Sequence, residues 1–183
     1  DPKLSLLKER GIPITSACDD PGLSLLQHHL ASTSIIIDAV LGTGNTRPLN
    51  GQLKEIMGHV STVRQRTNTT VLALDLPTGL NADTGYVDPA CPGADITIAM
   101  GYPKLGHFTF PGASIRGELE ITDIGLPPAL DEDILLDLIT PQLVRALLPS
   151  RPMQGHKNTF GRLMVVAGSR RYVGAAWLAC SGA

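Results

Sequence analysis

Residues Ser34-Ile35-Ile36-Ile37-Asp38-Ala39-Val40-Leu41 form an apolar, β-branched run, interrupted only by Asp38, that stops at Gly42-Thr43-Gly44. Such a run predicts a strand buried on both faces and ending in a Gly-rich loop. The pattern recurs. Thr70-Val71-Leu72-Ala73-Leu74-Asp75 passes into Leu76-Pro77-Thr78-Gly79-Leu80, where Pro and Gly forbid continuation. Asp95-Ile96-Thr97-Ile98-Ala99-Met100 gives way to Gly101-Tyr102-Pro103-Lys104-Leu105-Gly106-His107-Phe108, and Glu118 to Ile124 is a fourth candidate strand. Between the first two runs, beyond Asn50-Gly51, Leu53, Ile56, Met57, Val60 and Val63 recur at helical spacing. Strand-helix alternation of this kind predicts an α/β fold with a doubly wound, Rossmann-like, mostly parallel sheet.

Before the first strand, Leu4, Leu6 and Leu7 precede Gly11 and Pro13, the tail of a helix closed by Gly and a Pro-containing turn. From Pro127 the composition shifts to Pro-Pro-Ala-Leu-Asp-Glu-Asp, then to Leu-rich residues through Leu148, then Pro149 and Pro152, which marks a domain boundary. Residues 1–127 are read as the first domain, 128–150 as a linker with a lead-in helix, and 151–183 as the opening of a second. There Phe160 to Ser169 predicts a new buried strand opening onto a Gly loop, with a helix starting at Gly174. The chain starts at Asp1 without Met and stops in an Ala-rich apolar stretch without a helix stop signal, so both ends are expected to be cuts.

Several partner classes are disfavoured. With 15 Lys and Arg against 17 Asp and Glu, scattered along 183 residues, nothing attracts a phosphate backbone in bulk, so nucleic acid is not an expected partner. No apolar run reaches the roughly 18 to 20 residues of a membrane helix, and no leader opens the chain, which predicts a cytoplasmic protein without membrane contact. Cys18, Cys91 and Cys180 are odd in number and far apart, which argues for a reducing compartment and for ordinary buried thiols. A homo-oligomer is the expected assembly.

In open α/β sheets ligands bind beyond the carboxyl ends of the strands. Three strands here deliver polar groups to that edge: Asp38 with the loop Gly42-Thr43-Gly44-Asn45-Thr46-Arg47-Pro48, Asp75 with Thr78, and Lys104. The loop's backbone N–H groups and Arg47 could hold phosphate or ribose oxygens, although a Gly-Thr-Gly turn also serves as a plain tight turn. Asp38, Asp75 and the Thr78 hydroxyl could bind a monovalent cation through oxygens or supply a general acid or base, while an Asp at a strand end also caps the next turn. Lys104 could neutralise the carboxylates or contact a phosphate, or be a solvated surface lysine. His107, next to Phe108, reads as packed rather than catalytic.

The stretches Asp38 to Gly44, Asp75-Leu76-Pro77-Thr78-Gly79-Leu80-Asn81-Ala82-Asp83-Thr84-Gly85 and Pro103 to Phe108 together resemble the signatures of the NAD(P)HX epimerase domain, also called the YjeF N-terminal domain. Gly155 to Gly161, Val165 to Ser169 and Tyr172 to Ala176 resemble the start of the ADP- or ATP-dependent NAD(P)HX dehydratase domain, which has a ribokinase-like α/β fold. The resemblance implies that the chain is a fragment of the bifunctional repair enzyme for hydrated NADH and NADPH, epimerising their R and S forms. By the same resemblance Gly42, Thr43, Gly44, Asn45, Thr46, Arg47, Pro48 and Lys104 would line the hydrated dinucleotide. Asp75 would contact it as the acid-base group, Asp38 and Thr78 would bind potassium, and Gly174 and Ala175 would belong to the dehydratase substrate site. The family usually has Ser where Thr78 stands, which keeps the hydroxyl, and Gly where Asn158 stands. Its first strand and Asn-Asn-Gly-Gly-Asp-Gly loop are expected before Asp1, and the dehydratase's Gly-Asp motif beyond Ala183, so both sites are expected to be incomplete. The alternative is a non-catalytic Rossmann-like binding or dimerisation scaffold. A plain dinucleotide-dependent dehydrogenase is disfavoured because no Gly-x-Gly-x-x-Gly follows a strand.

Overall fold

The computed structural model describes residues 2–44, 46–127, 130, 134–150, 152–156, 159 and 161–182. By its contacts the chain divides into two units, Asp1–Leu130 and Asp131–Ala183. In the first, the strands β1 (Ile35–Asp38), β2 (Thr70–Leu74), β3 (Ile96–Met100) and β4 (Glu118–Thr122) form one sheet in the order β1-β2-β3-β4, and every pair is parallel. This is the Rossmann-like α/β class read from the sequence.

The β-branched runs form the strands because each residue's N–H and C=O can pair with a neighbour while its side chain packs on a pleated face. Leucines and a glycine stop set the first helix: α1 (Pro2–Glu9) ends where Gly11, at φ 68°, donates to the Lys8 carbonyl. Helix α2 (Ser24–Ser32) is capped by Asp20, whose carboxylate accepts the Leu25 and Leu26 N–H groups at 3.1 and 3.0 Å. Helix α3 (Gly51–Arg66) turns Met57 and Val60 inward, as its spacing predicts. Leu30 of α2 and Val60 of α3 pack with Val71, Ala73 and Ala94, with Leu26, Ile36 and Val63 around them. That cluster covers one face of the sheet.

The other face corrects a sequence expectation. Ile35 and Ile37 of β1 are 60% and 63% exposed, so this strand is not buried on both sides. It is the edge of the sheet, and alternate residues of an edge strand lose cover wherever no helix lies over them. The regular alternation also ends at β2. The crossover from 75 to 95 carries no helix and is held by the Leu80–Val87 bridge and by Asp88, while the β3–β4 connection has a 3-10 turn, Leu105–His107, and the short α4 (Gly112–Ile115).

In the second unit, α5 (Pro141–Leu147) is capped by the Thr140 hydroxyl, which accepts the Leu143 N–H at 3.1 Å, and α6 (Gly174–Ser181) begins where expected. The expected buried strand does not form: residues 161–168 are irregular, Leu163, Met164 and Val166 are exposed, and Ser169 makes only an isolated bridge with Tyr172. A strand is stable only with a ladder partner, and no described residue of this unit supplies one. Phe160, the first residue of that expected strand, and Asn158 lie outside the described residues. Cys18 and Cys180 are exposed and only Cys91 is partly sheltered, which corrects the reading of all three as buried thiols. Cys18 sits in a surface 3-10 turn and Cys180 on a helix without a buried face. Burial pushes the Cys91 thiol up to about 11, so it stays protonated and unreactive. Among the described residues no helix is long and apolar enough to cross a membrane.

Candidate active site

At the carboxyl ends of the parallel strands, the polar side chains fall into two connected pairs. The first joins β1 to the loop after β2. Asp38, the last residue of β1, accepts the Thr78 N–H at 2.7 Å and the Thr78 hydroxyl at 2.6 Å, while the Leu41 N–H donates back to that hydroxyl at 3.2 Å. Asp38 is 3% exposed and Thr78 is fully buried. Buried polar groups need such partners to offset desolvation. None of the described residues places a cationic side chain on Asp38.

The second pair joins β2 to the loop after β3. Asp75 follows β2 directly and adopts a left-handed backbone with φ 69°. Asp tolerates this region better than most residues, yet the strain is still about 1 kcal/mol and persists only where the surroundings fix it. Four contacts do so. The Asp75 N–H donates to the Ile98 carbonyl at 2.8 Å, its Oδ1 accepts the Met100 N–H at 3.2 Å, the Lys104 ammonium pairs with the same Oδ1, and His107 Nε2 bonds the Asp75 carbonyl at 2.9 Å. Lys104 Nζ also donates to the Met100 carbonyl at 3.0 Å. Asp75 Oδ2 receives no hydrogen bond from a described residue. It faces Gly42, where an added Cβ would lie 3.3 Å away. The glycine at the head of the 42–48 loop therefore leaves space for that oxygen.

The structure thus brings Asp38, Thr78, Gly42, Asp75 and Lys104 to one edge, with the ammonium of Lys104 neutralising Asp75 rather than standing free in solvent. The loop itself is exposed at Gly42, Thr43, Gly44, Thr46, Arg47 and Pro48, and Asn45 lies outside the described residues. Its far end is pinned: the Leu49 N–H donates to Asp88 Oδ2 at 2.9 Å. Gly174 and Ala175 form the exposed first turn of α6 in the second unit.

Two contributors were not legible as such. Asp88 looks like one more loop carboxylate, although it is buried and ties the 42–48 loop to the crossover. His107 is packed, as expected, but it also bonds both Asp75 and Lys104, whose N–H donates to His107 Nδ1 at 3.1 Å. Its three-residue offset from Lys104, one 3-10 turn, is the signal that could have revealed this. Burial holds the His107 imidazole below its ordinary range, helped by the charges of Lys104 and Arg116 and opposed by the Asp75 carbonyl and carboxylate. The turn fits because Gly106 has no Cβ, which would overlap the Asn81 carbonyl oxygen.

A cleft of about 670 Å³ lies at the opposite edge, where the strands begin, lined by residues including Arg64, Thr69, Cys91 and Asp95. Its polar groups satisfy one another: Arg64 bonds the Pro92 and Ala94 carbonyls and pairs with Asp95 at 2.8 Å. Size alone does not make it the ligand site, because strand amino ends lack the convergent loops of the carboxyl edge.

The family described as YjeF-related protein N-terminus matches residues 2–106. The "Bifunctional NAD(P)H-hydrate repair enzyme Nnr" of Thermofilum pendens is 38% identical over 156 residues, 85% of this chain and 28% of that protein. The protein of the same name from Moorella thermoacetica is 36% identical over 156 residues, covering 84% and 29%, and that of Coxiella burnetii is 30% identical over 182 residues, covering 97% and 36%. The chain therefore spans about a third or less of the length of these relatives. The crystal structure of yeast ynu0 aligns with a TM-score of 0.50 at 20% identity, over 57% of this chain and 42% of that one, a likeness of fold.

Proposed function

The chain belongs to the family of YjeF-related protein N-termini, and from that premise we propose that it carries the epimerase part of an NAD(P)H-hydrate repair enzyme. The substrate would be hydrated NADH or NADPH, and the reaction the interconversion of its R and S epimers. The names of the relatives support this reading, and so does one observation above the others. Asp75 is fixed through Oδ1 by Lys104 and Met100, while Oδ2 faces the Gly42 loop without a partner among the described residues.

An enamine takes up water at the carbon next to its nitrogen, so the hydroxyl of the hydrated ring sits on a hemiaminal carbon. Such a centre inverts when its C–O or C–N bond opens and recloses on the other face: the first route gives the hydroxyl a proton so that it leaves as water and takes one back as water re-adds, and the second removes the hydroxyl proton and returns it. Asp75 Oδ2 would exchange that proton, with Lys104 balancing the carboxylate charge. The exposed N–H groups and Arg47 of the 42–48 loop would meet the phosphates and riboses. In a protein of the relatives' length, ADP- or ATP-dependent dehydration would follow, and Gly174 and Ala175 would belong to that second site.

Asp38 and Thr78 would hold a potassium ion, and the donor set fits one. The ligands are all oxygen, Asp38 is a buried carboxylate without a cationic partner among the described residues, and its lone pairs exceed the hydrogen bonds it accepts. A large ion held by one carboxylate and one hydroxyl would take its remaining ligands from backbone oxygens. When bound, potassium would supply positive charge near the dinucleotide phosphates.

The test is Asp75→Asn in the intact protein, with epimer ratios followed by chromatography. A loss of roughly 100-fold or more in interconversion, at unchanged fold, is expected for removal of a general acid-base group. Near-normal interconversion would remove Asp75 from this role, and no interconversion by the unaltered protein would leave the scaffold reading in its place.

A further inference from the structure

We infer that His107 is a positioning residue for the Asp75–Lys104 pair: its neutral ring joins the Asp75 carbonyl to the Lys104 N–H and so fixes both reacting-edge groups from beneath. The inference rests on the reading of Asp75 as the acid-base group. The ring's hydrogen-bond roles follow from its partners. A backbone N–H can only donate, so His107 Nδ1 must be unprotonated to accept from Lys104 at 3.1 Å. A carbonyl can only accept, so Nε2 must carry the proton that meets the Asp75 oxygen at 2.9 Å. Only one form of imidazole, neutral with its proton on Nε2, satisfies both. Protonating Nδ1 would set two donors against each other at Lys104.

The burial and the strain give this bridge its effect. His107 has no exposed surface, so neither ring nitrogen can exchange its partner for water. Asp75 is one of two non-glycine residues with positive φ among the described residues, and that φ sets where its Cβ and its carbonyl carbon lie relative to the preceding strand. A donor held at that carbonyl keeps the left-handed conformation, which in turn aims Oδ2 at Gly42. The same ring holds the backbone of Lys104, whose ammonium pairs with Oδ1. The ring is itself located from behind by Arg116, whose Nε donates to the His107 carbonyl at 2.7 Å and whose guanidinium lies 5.7 Å from the Phe108 ring centre. His107 is thus a rigid spacer between two loops that also meet through the Met100 N–H on Asp75 Oδ1 and, farther out, through the Gly112 N–H on the Gly85 carbonyl at 2.9 Å.

Three variants of the intact protein separate the two bonds. His107→Phe keeps a ring and removes both. His107→Gln can place an N–H near the Nε2 position and so reach the Asp75 carbonyl, and His107→Asn can place an oxygen near Nδ1 and accept from Lys104. Misplacing an acid-base group without removing it should lower kcat roughly 10- to 100-fold in the Phe variant while KM moves less than about threefold. Gln should recover part of that kcat and exceed Asn, because the Asp75 bond is the one that sets Oδ2. A folded Phe variant with normal kcat overturns the inference, and so does a loss that Gln does not recover more fully than Asn. Nitrogen-15 shifts of the ring in the unaltered protein give a reading independent of catalysis. One protonated nitrogen, Nε2, is expected at neutral pH, and a protonated Nδ1 overturns the bridge. Should the unaltered protein fail to interconvert epimers, the functional reading falls. The ring shifts, with faster amide exchange at Lys104 in the Phe variant, then still decide whether the bridge exists.

Discussion

Thr78 shows how much one hydroxyl carries. It donates to Asp38 Oδ1 and accepts from the Leu41 N–H, both in a fully buried position. Thr78→Val keeps the shape and removes both bonds, leaving a carboxylate oxygen short of a donor and an N–H without an acceptor. The expected cost is about 1–3 kcal/mol in unfolding free energy, against under about 1 kcal/mol for Thr78→Ser, which keeps the hydroxyl. If Asp38 and Thr78 bind potassium, replacing tetramethylammonium by potassium should raise the Tm of the unaltered protein, as any native-state ligand does, and the Val variant should lose that rise. A Val variant as stable and as responsive to potassium as the parent would sink the pairing. The sequence could place Asp38, Asp75, Thr78 and Lys104 on one edge because that follows from where strands end. It could not pair them, because Asp38 with Thr78 and Asp75 with Lys104 depend on strand register and on the left-handed turn at Asp75. No pattern of neighbouring residues encodes that turn.

Among the elements, α3 and the four strand segments were legible because helical spacing and β-branched runs are local signals. The β2–β3 crossover was not, since Pro77, Gly79, Gly85, Pro89, Pro92 and Gly93 exclude a helix without stating what replaces it. Part of the replacement is one side chain. Arg64, in the last turn of α3, donates to the Pro92 and Ala94 carbonyls and pairs with Asp95, whose other oxygen takes the Val71 N–H at 2.8 Å. This planar fork joins helix, crossover and strand. Arg64→Met should cost about 1–3 kcal/mol by urea unfolding, because two carbonyls lose a charged donor at a partly exposed site. Arg64→Lys should recover less than half, since an ammonium cannot span three acceptors in one plane. Equal stability of the Lys variant and the parent would show that charge alone suffices. The strand expected at Phe160–Ser169 failed for the opposite reason: its apolar run is a local signal, but a ladder is a non-local requirement.

For the whole molecule, the two units differ in what they bury. The first has a core around Val60, Val71 and Ala73, whereas no described residue of the second is buried, and Trp177, Leu178 and Met164 are exposed. About 25 cal/mol is gained per Å² of apolar surface removed from water, so a unit that buries no side chain has little to set against the entropy of ordering its backbone. The described residues of the second unit are therefore expected to open readily while the first unit stays closed. Brief trypsin treatment should cut first at Arg162, Arg170 and Arg171, all exposed, and leave a fragment that retains Arg64 and Arg116, as mass spectrometry would show. The same deficit implies that these 183 residues give no ADP- or ATP-dependent recovery of reduced-nicotinamide absorbance from hydrated cofactor, because a nucleotide site needs groups held in place. Early cleavage at Arg64 would show that the first unit opens as readily as the second, and clear nucleotide-dependent recovery would show that the second unit is ordered by contacts its burial does not reveal.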